Sequence, residues 1–304
     1  MSPVKPPSAK APAAPASIVL GLYLRGLREA RGMVLADAAR AVGATISSVS
    51  RWELGTHIGH ASSLEALLRH YRVERQERAY LVRHQPPPAY RRREKDEVGP
   101  ARRALHDFFP DLTGAEAMVR YLAVMRLANS VIEYRMRVPA GLRTPAYRAA
   151  LAGSAFPADA DESVLAKSFW ARRLPQAEGQ RRTVLLDETV LTRPLGGPLA
   201  MAGQLRHLAG LVDAEASGGG LTIRLLPMTY VSHLHEGPAP AEVVLQGHRL
   251  VTYLGACPAY ETGSGDARTI SEALHDAVPA ACSREETRHR LREAAEAMER
   301  GATS

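Results

Sequence analysis

The sequence predicts a multi-domain protein: a small all-α domain, then a larger α+β domain with a small, mainly antiparallel sheet. Three observations carry this reading. Two short helical patterns lie on either side of Gly43 within residues 34–53. A Pro- and Arg-rich run at 81–104 breaks all periodicity. Beyond it, helical stripes are interspersed with short apolar runs of strand length. A chain of 304 residues is long enough for two domains and for a sizeable core in the larger one.

Residues 1–17, rich in Pro and Ala with Lys5 and Lys10, cannot bury enough surface to offset ordering entropy and read as a disordered tail. The stretch lacks the apolar core of a signal peptide. A first helix is expected from Ile18 to Ala30, with Leu20, Leu24 and Leu27 inside, Tyr23 beside them, and Arg25, Arg28 and Arg31 outside. Gly32 ends it. Leu35, Ala38, Ala39 and Val42 form one face of a second helix. Gly43 suits a left-handed helix end, and Thr45 can cap a third helix. On that helix Val49 and Trp52 point inward, leaving Ile46, Ser47, Ser48, Ser50 and Arg51 mostly outward. Helix, Gly-containing turn and helix with a small-polar outer face is the helix-turn-helix arrangement. Leu64, Leu67, Leu68 and Tyr71 predict a fourth helix capped by Ser62 or Ser63. His57 and His60 fall in the loop before it.

The run LGLYLRGLREARGMVLADAARAVGATISSVSRWELG closely resembles the Xre or Cro/C1-type, lambda-repressor-like helix-turn-helix domain, over about residues 20–73. The resemblance implies a double-stranded DNA partner, with the second helix of the motif in the major groove. Ile46, Ser47 and Arg51 then look at base edges, Arg51 toward guanine and Ile46 toward a thymine methyl. Thr45, Ser48 and Ser50, with the helix N-terminal amides, hold phosphates. A homodimer on a pseudo-palindromic operator is the corresponding expectation. Two positions depart from the pattern: Val34 stands where Ser or Thr usually caps the second helix, and Ile46 where Gln is common.

Three consecutive prolines at 86–88 stop the fifth helical pattern, and Arg91, Arg92, Arg93, Lys95, Arg102 and Arg103 make the linker basic. The domains are therefore expected at 18–80 and 105–304, joined by a Pro/Arg linker at 81–104. In the second, Thr113–Glu116 reads as a capping box opening a long helix whose stripe runs through Met118, Tyr121, Leu122, Met125, Asn129 and Ile132. A short helix around Tyr147 is expected, then strands at 184–186 and 221–226, with an amphipathic helix at 199–212 between them. Residues 243–246 and 250–254 form a hairpin across Gly247. Ser283 and Glu286 box the start of a last helix, with Glu286 and Arg290 paired. VPAGLRTPAY (138–147), VLLDETVLTRPLGGPLAMAGQLRHL (184–208) and LTIRLLPM (221–228) resemble, more weakly, the C-terminal domain of WhiJ-like actinobacterial regulators. That resemblance implies a sensory or partner-binding module that receives a small protein partner or a small-molecule effector. Arg143 and Gly255 depart from that family's usual Gln and Glu.

The net charge of +7 suits a polyanionic partner. Two cysteines, Cys257 and Cys282, are too few for a disulfide scaffold and fit a reducing cytoplasm; the composition looks actinobacterial. No run is apolar enough to cross a membrane. His233, His235 and Glu236 read as exposed loop residues in preference to metal ligands, and the Asp187-Glu188 pair as a cap or loop anion. No HExxH, CxxC, GxSxG, P-loop or GxGxxG stands in the right context. The function expected is a cytoplasmic, sequence-specific, DNA-binding transcriptional regulator, not an enzyme, with no cofactor and no metal. An antitoxin-like or adaptor interaction protein is the alternative, and enzymatic activity in the second domain the remote one.

Overall fold

The computed structural model describes residues 15–57, 59–83, 85, 125, 127–152, 179–237, 239–245, 247–254, 259–261 and 265–303. The chain divides into two compact units, residues 1–105 and 106–304. The tail lysines, the basic residues 91–103, the Thr113–Glu116 box and Cys257 lie outside the described residues, whereas residues 81–83, expected in the linker, belong to the fifth helix.

The first unit is helical: α1 Pro15–Glu29, α2 Leu35–Val42, α3 Ile46–Glu53, α4 Ala61–His70 and α5 Arg75–Arg83. Its core is the expected apolar set, with Leu20, Tyr23, Leu24, Leu27, Ala38, Val49, Leu64, Leu67, Leu68 and Tyr71 at 0–2% exposure. Pro15–Ser17, expected in the tail, form the first turn of α1 instead. Ser17 is buried there, because its carbonyl and the Ile18 backbone press on the Gly55 turn. The cap of α4 also differs from expectation. His60 occupies the N-cap without a side-chain bond, and Ser62 and Ser63 lie inside the helix. Gly59 fixes that entry: a Cβ there would lie 2.5 Å from the Trp52 ring.

The second unit holds a six-stranded sheet in the order β3-β2-β1-β4-β5-β6. The strands are β1 Ser130–Arg135, β2 Arg181–Asp187, β3 Leu221–Leu226, β4 Ala239–Leu245, β5 His248–Leu254 and β6 Ala259–Glu261. The β1–β4, β4–β5 and β5–β6 pairs are antiparallel. The β1–β2 and β2–β3 pairs are parallel, so the sheet is mixed. The helices are α6 Pro145–Ala152, α7 Pro198–Ala214, α8 Gly265–Ala280 and α9 Arg284–Thr303. One face of the sheet, with Val184, Leu186, Ile223 and Leu225, packs on Tyr147 of α6, Leu205 and Leu208 of α7 and Leu291 of α9. The other, with Tyr134, Leu185 and Leu226, packs on Ala273, Leu274 and Ala277 of α8.

The expected hairpin forms across Gly247, at φ 80°, and Ser283 accepts the Glu286 N–H at 3.1 Å to open α9. One helix ends earlier than expected. Met125 and Leu127 are helical, but Asn129 and Ile132, placed on that helix's stripe by spacing, are not. Ile132 belongs to β1, which is hydrogen-bonded on both sides. A strand packed on both faces need not alternate apolar and polar residues, so its spacing imitated a helix. β3 is the outermost strand on its side, and its outer edge is covered at Ile223 O and Leu225. Cys282 N–H donates to Leu225 O at 2.8 Å, Thr287 Oγ1 accepts from Leu225 N–H at 3.3 Å, and Arg224 Nη1 donates to Ile223 O at 2.8 Å.

Candidate nucleic-acid interface

The candidate interface is built from α2, its turn and α3. Gly43 ends α2 at φ 63°, ψ 30°, and its N–H bonds back to the helix; an L side chain is strained there. Val34, without a capping hydroxyl, still starts α2, because its own N–H donates to Asp37 Oδ2 at 3.2 Å. This is the return half of a capping box, supplied by the N3 carboxylate alone. Thr45 caps α3 as expected: Oγ1 accepts the Ser48 N–H at 3.1 Å and lies 2.8 Å from Ser48 Oγ.

The inward residues of α3 are Val49, at 0% exposure, and Trp52, at 6%. Ile46 is 53% exposed. Thr45, Ser47 and Arg51 are exposed, and Ser48 and Ser50 are half-buried. Arg51 Nε donates to Ser47 O at 3.3 Å. Arg51 forms no ion pair among the described residues. The structure therefore leaves Ile46, Ser47 and Arg51 exposed, links Arg51 to Ser47 and joins Thr45 to Ser48 as a cap.

Two close approaches and one ion pair hold α3 against α1. At Gly21 a Cβ would stand 2.6 Å from Trp52 O and 2.7 Å from Glu53 O; at Gly55, φ 67°, it would stand 2.6 Å from Ile18 Cα. Glu53, at the last turn of α3, is 5% exposed. Arg28 grips it with Nε to Oε1 at 2.7 Å and Nη2 to Oε2 at 2.8 Å, and sends Nη1 to Met33 O at 2.8 Å. The bond to Glu53 outweighs the penalty of burial and raises Arg28 above its ordinary range. Arg28 was expected on the outside of α1. It faces inward because its partner arrives from 25 residues away, which spacing within α1 cannot reveal. Tyr71 is driven up by burial, with the Glu53 charge adding to it.

In the second unit the singled-out polar residues are held in structural contacts. Asp187 Oδ1 accepts the Thr189 N–H at 2.9 Å, capping a 3₁₀ turn at Glu188–Leu191, and Oδ2 accepts Tyr134 OH at 2.6 Å. Glu188 diverges from it, accepting the Met228 N–H at 2.8 Å and pairing with Arg290. His233 turns to Glu236 at 3.2 Å, while His235 lies edge-on to Tyr134 with centroids 5.2 Å apart. No group of three or more His, Cys, Asp or Glu able to hold a metal ion occurs among the described residues. Nor is any helix among them long and apolar enough to cross a membrane. Arg143 Nε donates to Val138 O at 2.8 Å. Sequence reasoning missed the buried carboxylates Glu133 and Glu242. Glu133 sits 2.7 Å from Arg135 and 2.6 Å from Arg182; Glu242 meets His275 at 3.0 Å and also Ser271.

The cap, the left-handed turn and the outward polar helix define a helix-turn-helix protein. Residues 19–81 match a family described as a helix-turn-helix domain, which supports DNA as a partner and regulation as the role. Residues 119–293, more than half of the 304, match a domain of unknown function, DUF5753, and the chain belongs to that family. No curated protein and no solved structure matches the chain.

Proposed function

We propose that this protein is a sequence-specific transcriptional regulator of the Xre, Cro/C1-like type that lays α3 in the major groove of double-stranded DNA. The supporting observation is Arg51, exposed, in no ion pair among the described residues, and carried on a helix fixed to its core by Gly21, Gly55 and Arg28–Glu53. Arg51 reads guanine, Ser47 donates or accepts beside it, and Ile46 offers an apolar surface to a thymine methyl. The first-turn amides of α3 approach a phosphate, with Thr45, Ser48 and Ser50 alongside. Because Thr45 and Ser48 already bond to each other, their part is to hold those amides in place. Two copies bind a pseudo-palindrome with half-sites about 34 Å apart. The cell compartment is the cytoplasm, and the composition and the WhiJ-like segments point to an actinobacterial source.

The second unit is proposed as the module that receives an effector or a small protein partner. Thermal shift against metabolite pools and pull-down from extract separate these two possibilities. The DNA reading is tested by selecting duplexes from a random pool and comparing wild type with Arg51→Ala in gel shifts. Arg51→Ala should relax preference at one base pair, by about 1–3 kcal/mol of discrimination. Equal weakening on every sequence would reject base reading by Arg51.

A further inference from the structure

Past the last turn of α3 the chain folds back on the helix. Arg51 O accepts from Thr56 N–H at 3.1 Å, Thr56 Oγ1 at 3.2 Å and His57 N–H at 3.3 Å. Gly55 makes this turn with its positive φ, pressed against Ile18. The result is an open hollow of about 410 Å³ lined by Arg51, Leu54, Thr56 and His57. Among the described residues its lining holds a guanidinium and an imidazole and no carboxylate. The carboxylate nearest in sequence, Glu53, is buried and taken by Arg28. His57 is exposed and, among the described residues, forms no ion pair.

We infer that this hollow receives a backbone phosphate of the bound duplex, and that His57 makes DNA binding proton-linked. The inference rests on the DNA-binding reading above and extends it to a residue next to the helix. With Arg51 committed to a base edge, His57 supplies the positive charge for a phosphate in the hollow. An imidazole changes charge between pH 5 and 8. A neighbouring phosphate favours its charged form, so the complex takes up a proton and binding tightens as pH falls. The charged group that lines the hollow with His57 is Arg51 of α3; Glu53, four residues before His57, is taken by Arg28, and His60 stands at the N-cap of α4. His60, the neighbouring imidazole in the sequence, serves as the control.

The test uses the full chain and a duplex selected from a random pool at pH 8, with affinity measured against salt at pH 8 and pH 6. One more neutralised phosphate steepens the log–log salt slope by about 0.9. Wild type and His60→Gln should show this steepening at pH 6. His57→Gln should keep the pH 8 slope at both values, and His57→Arg the steep slope at both. A wild-type slope that does not change, or a change that survives His57→Gln, overturns the inference while leaving DNA binding intact. Failure to select any specific duplex at pH 8 sinks the DNA-binding reading itself, and this inference with it.

Discussion

Arg28 and Glu53 meet through two parallel hydrogen bonds, 2.7 and 2.8 Å long, between the end of α1 and the end of α3. A third nitrogen of the same guanidinium reaches Met33 O. One side chain therefore ties the first helix, the turn before α2 and the far end of α3. Planar bidentate geometry of this kind suits Arg and not Lys.

Arg28→Met should therefore leave a buried, unpaired carboxylate and destabilise the first unit by about 3 kcal/mol. Adding Glu53→Met should recover much of that loss. Urea unfolding followed by Trp52 fluorescence in a Trp170→Phe background measures both. A single variant as stable as wild type would show that the pair is dispensable.

Gly21→Ala reverses the usual sign of a helical Gly→Ala change. On an open helix Ala is favoured by up to about 1 kcal/mol. Here the new methyl meets Trp52 O and Glu53 O at 2.6 and 2.7 Å, and backbone oxygens cannot rotate away. Forced separation of α1 and α3 should cost about 1–3 kcal/mol and weaken DNA binding as α3 tilts. Gly43→Ala makes the comparison: its Cβ meets nothing within 4 Å, and its φ of 63° alone is strained. It should lose stability while retaining more of the DNA affinity than Gly21→Ala.

Glu133 governs the acid limit of the second unit. Burial disfavours its charge, but the guanidinium groups of Arg182 and Arg135 outweigh burial and hold its carboxyl below the ordinary range. A lowered folded value means that its contribution is complete above the unfolded glutamate value of about 4.3, and drains away as pH falls toward the folded value. Arg182→Met removes one of the two cations. The acid-unfolding midpoint, followed by circular dichroism, should move to higher pH, with a loss of about 3 kcal/mol at neutral pH. An unmoved midpoint would remove Glu133 from the account.

Cys282 should be inert in the folded protein. Burial, with Glu286 adding to it, pushes its thiol up to about 11. In a Cys257→Ser background its reaction with a disulfide reagent at pH 8 should run more than about a hundred-fold slower than that of a free thiol. Urea should restore the ordinary rate, and fast labelling without denaturant would contradict the burial.

The parts legible in the sequence were those set by neighbouring residues. Gly43 and Thr45 announce a left-handed end and a cap within three positions, so the motif and its outward face could be read. The hairpin at Gly247 and the Ser283 cap are of the same kind. Arg28, Gly21 and Glu133 could not be read, because each takes its meaning from a strand or helix far along the chain. A helical spacing put Arg28 outside, and only the arrival of Glu53 turns it in. β1 imitated a helix because both of its faces are covered, and the parallel pairing of β1, β2 and β3 depends on crossovers that leave no local mark. The hollow beside Arg51 depends on the φ of Gly55 and on Ile18, 37 positions earlier.

The covered edge of β3 bears on how copies of this chain can meet. An outermost strand with free amides and carbonyls offers a rung on which another strand can grow, whether in a dimer or in a fibril. Here Thr287 and Cys282 occupy the outward N–H and carbonyl of Leu225, and Arg224 the carbonyl of Ile223. At those positions the ladder is occupied, and another strand cannot add there without displacing them. Under stress, release of α9 from β3 would free the Leu225 N–H, now held by Thr287, and reopen that part of the edge.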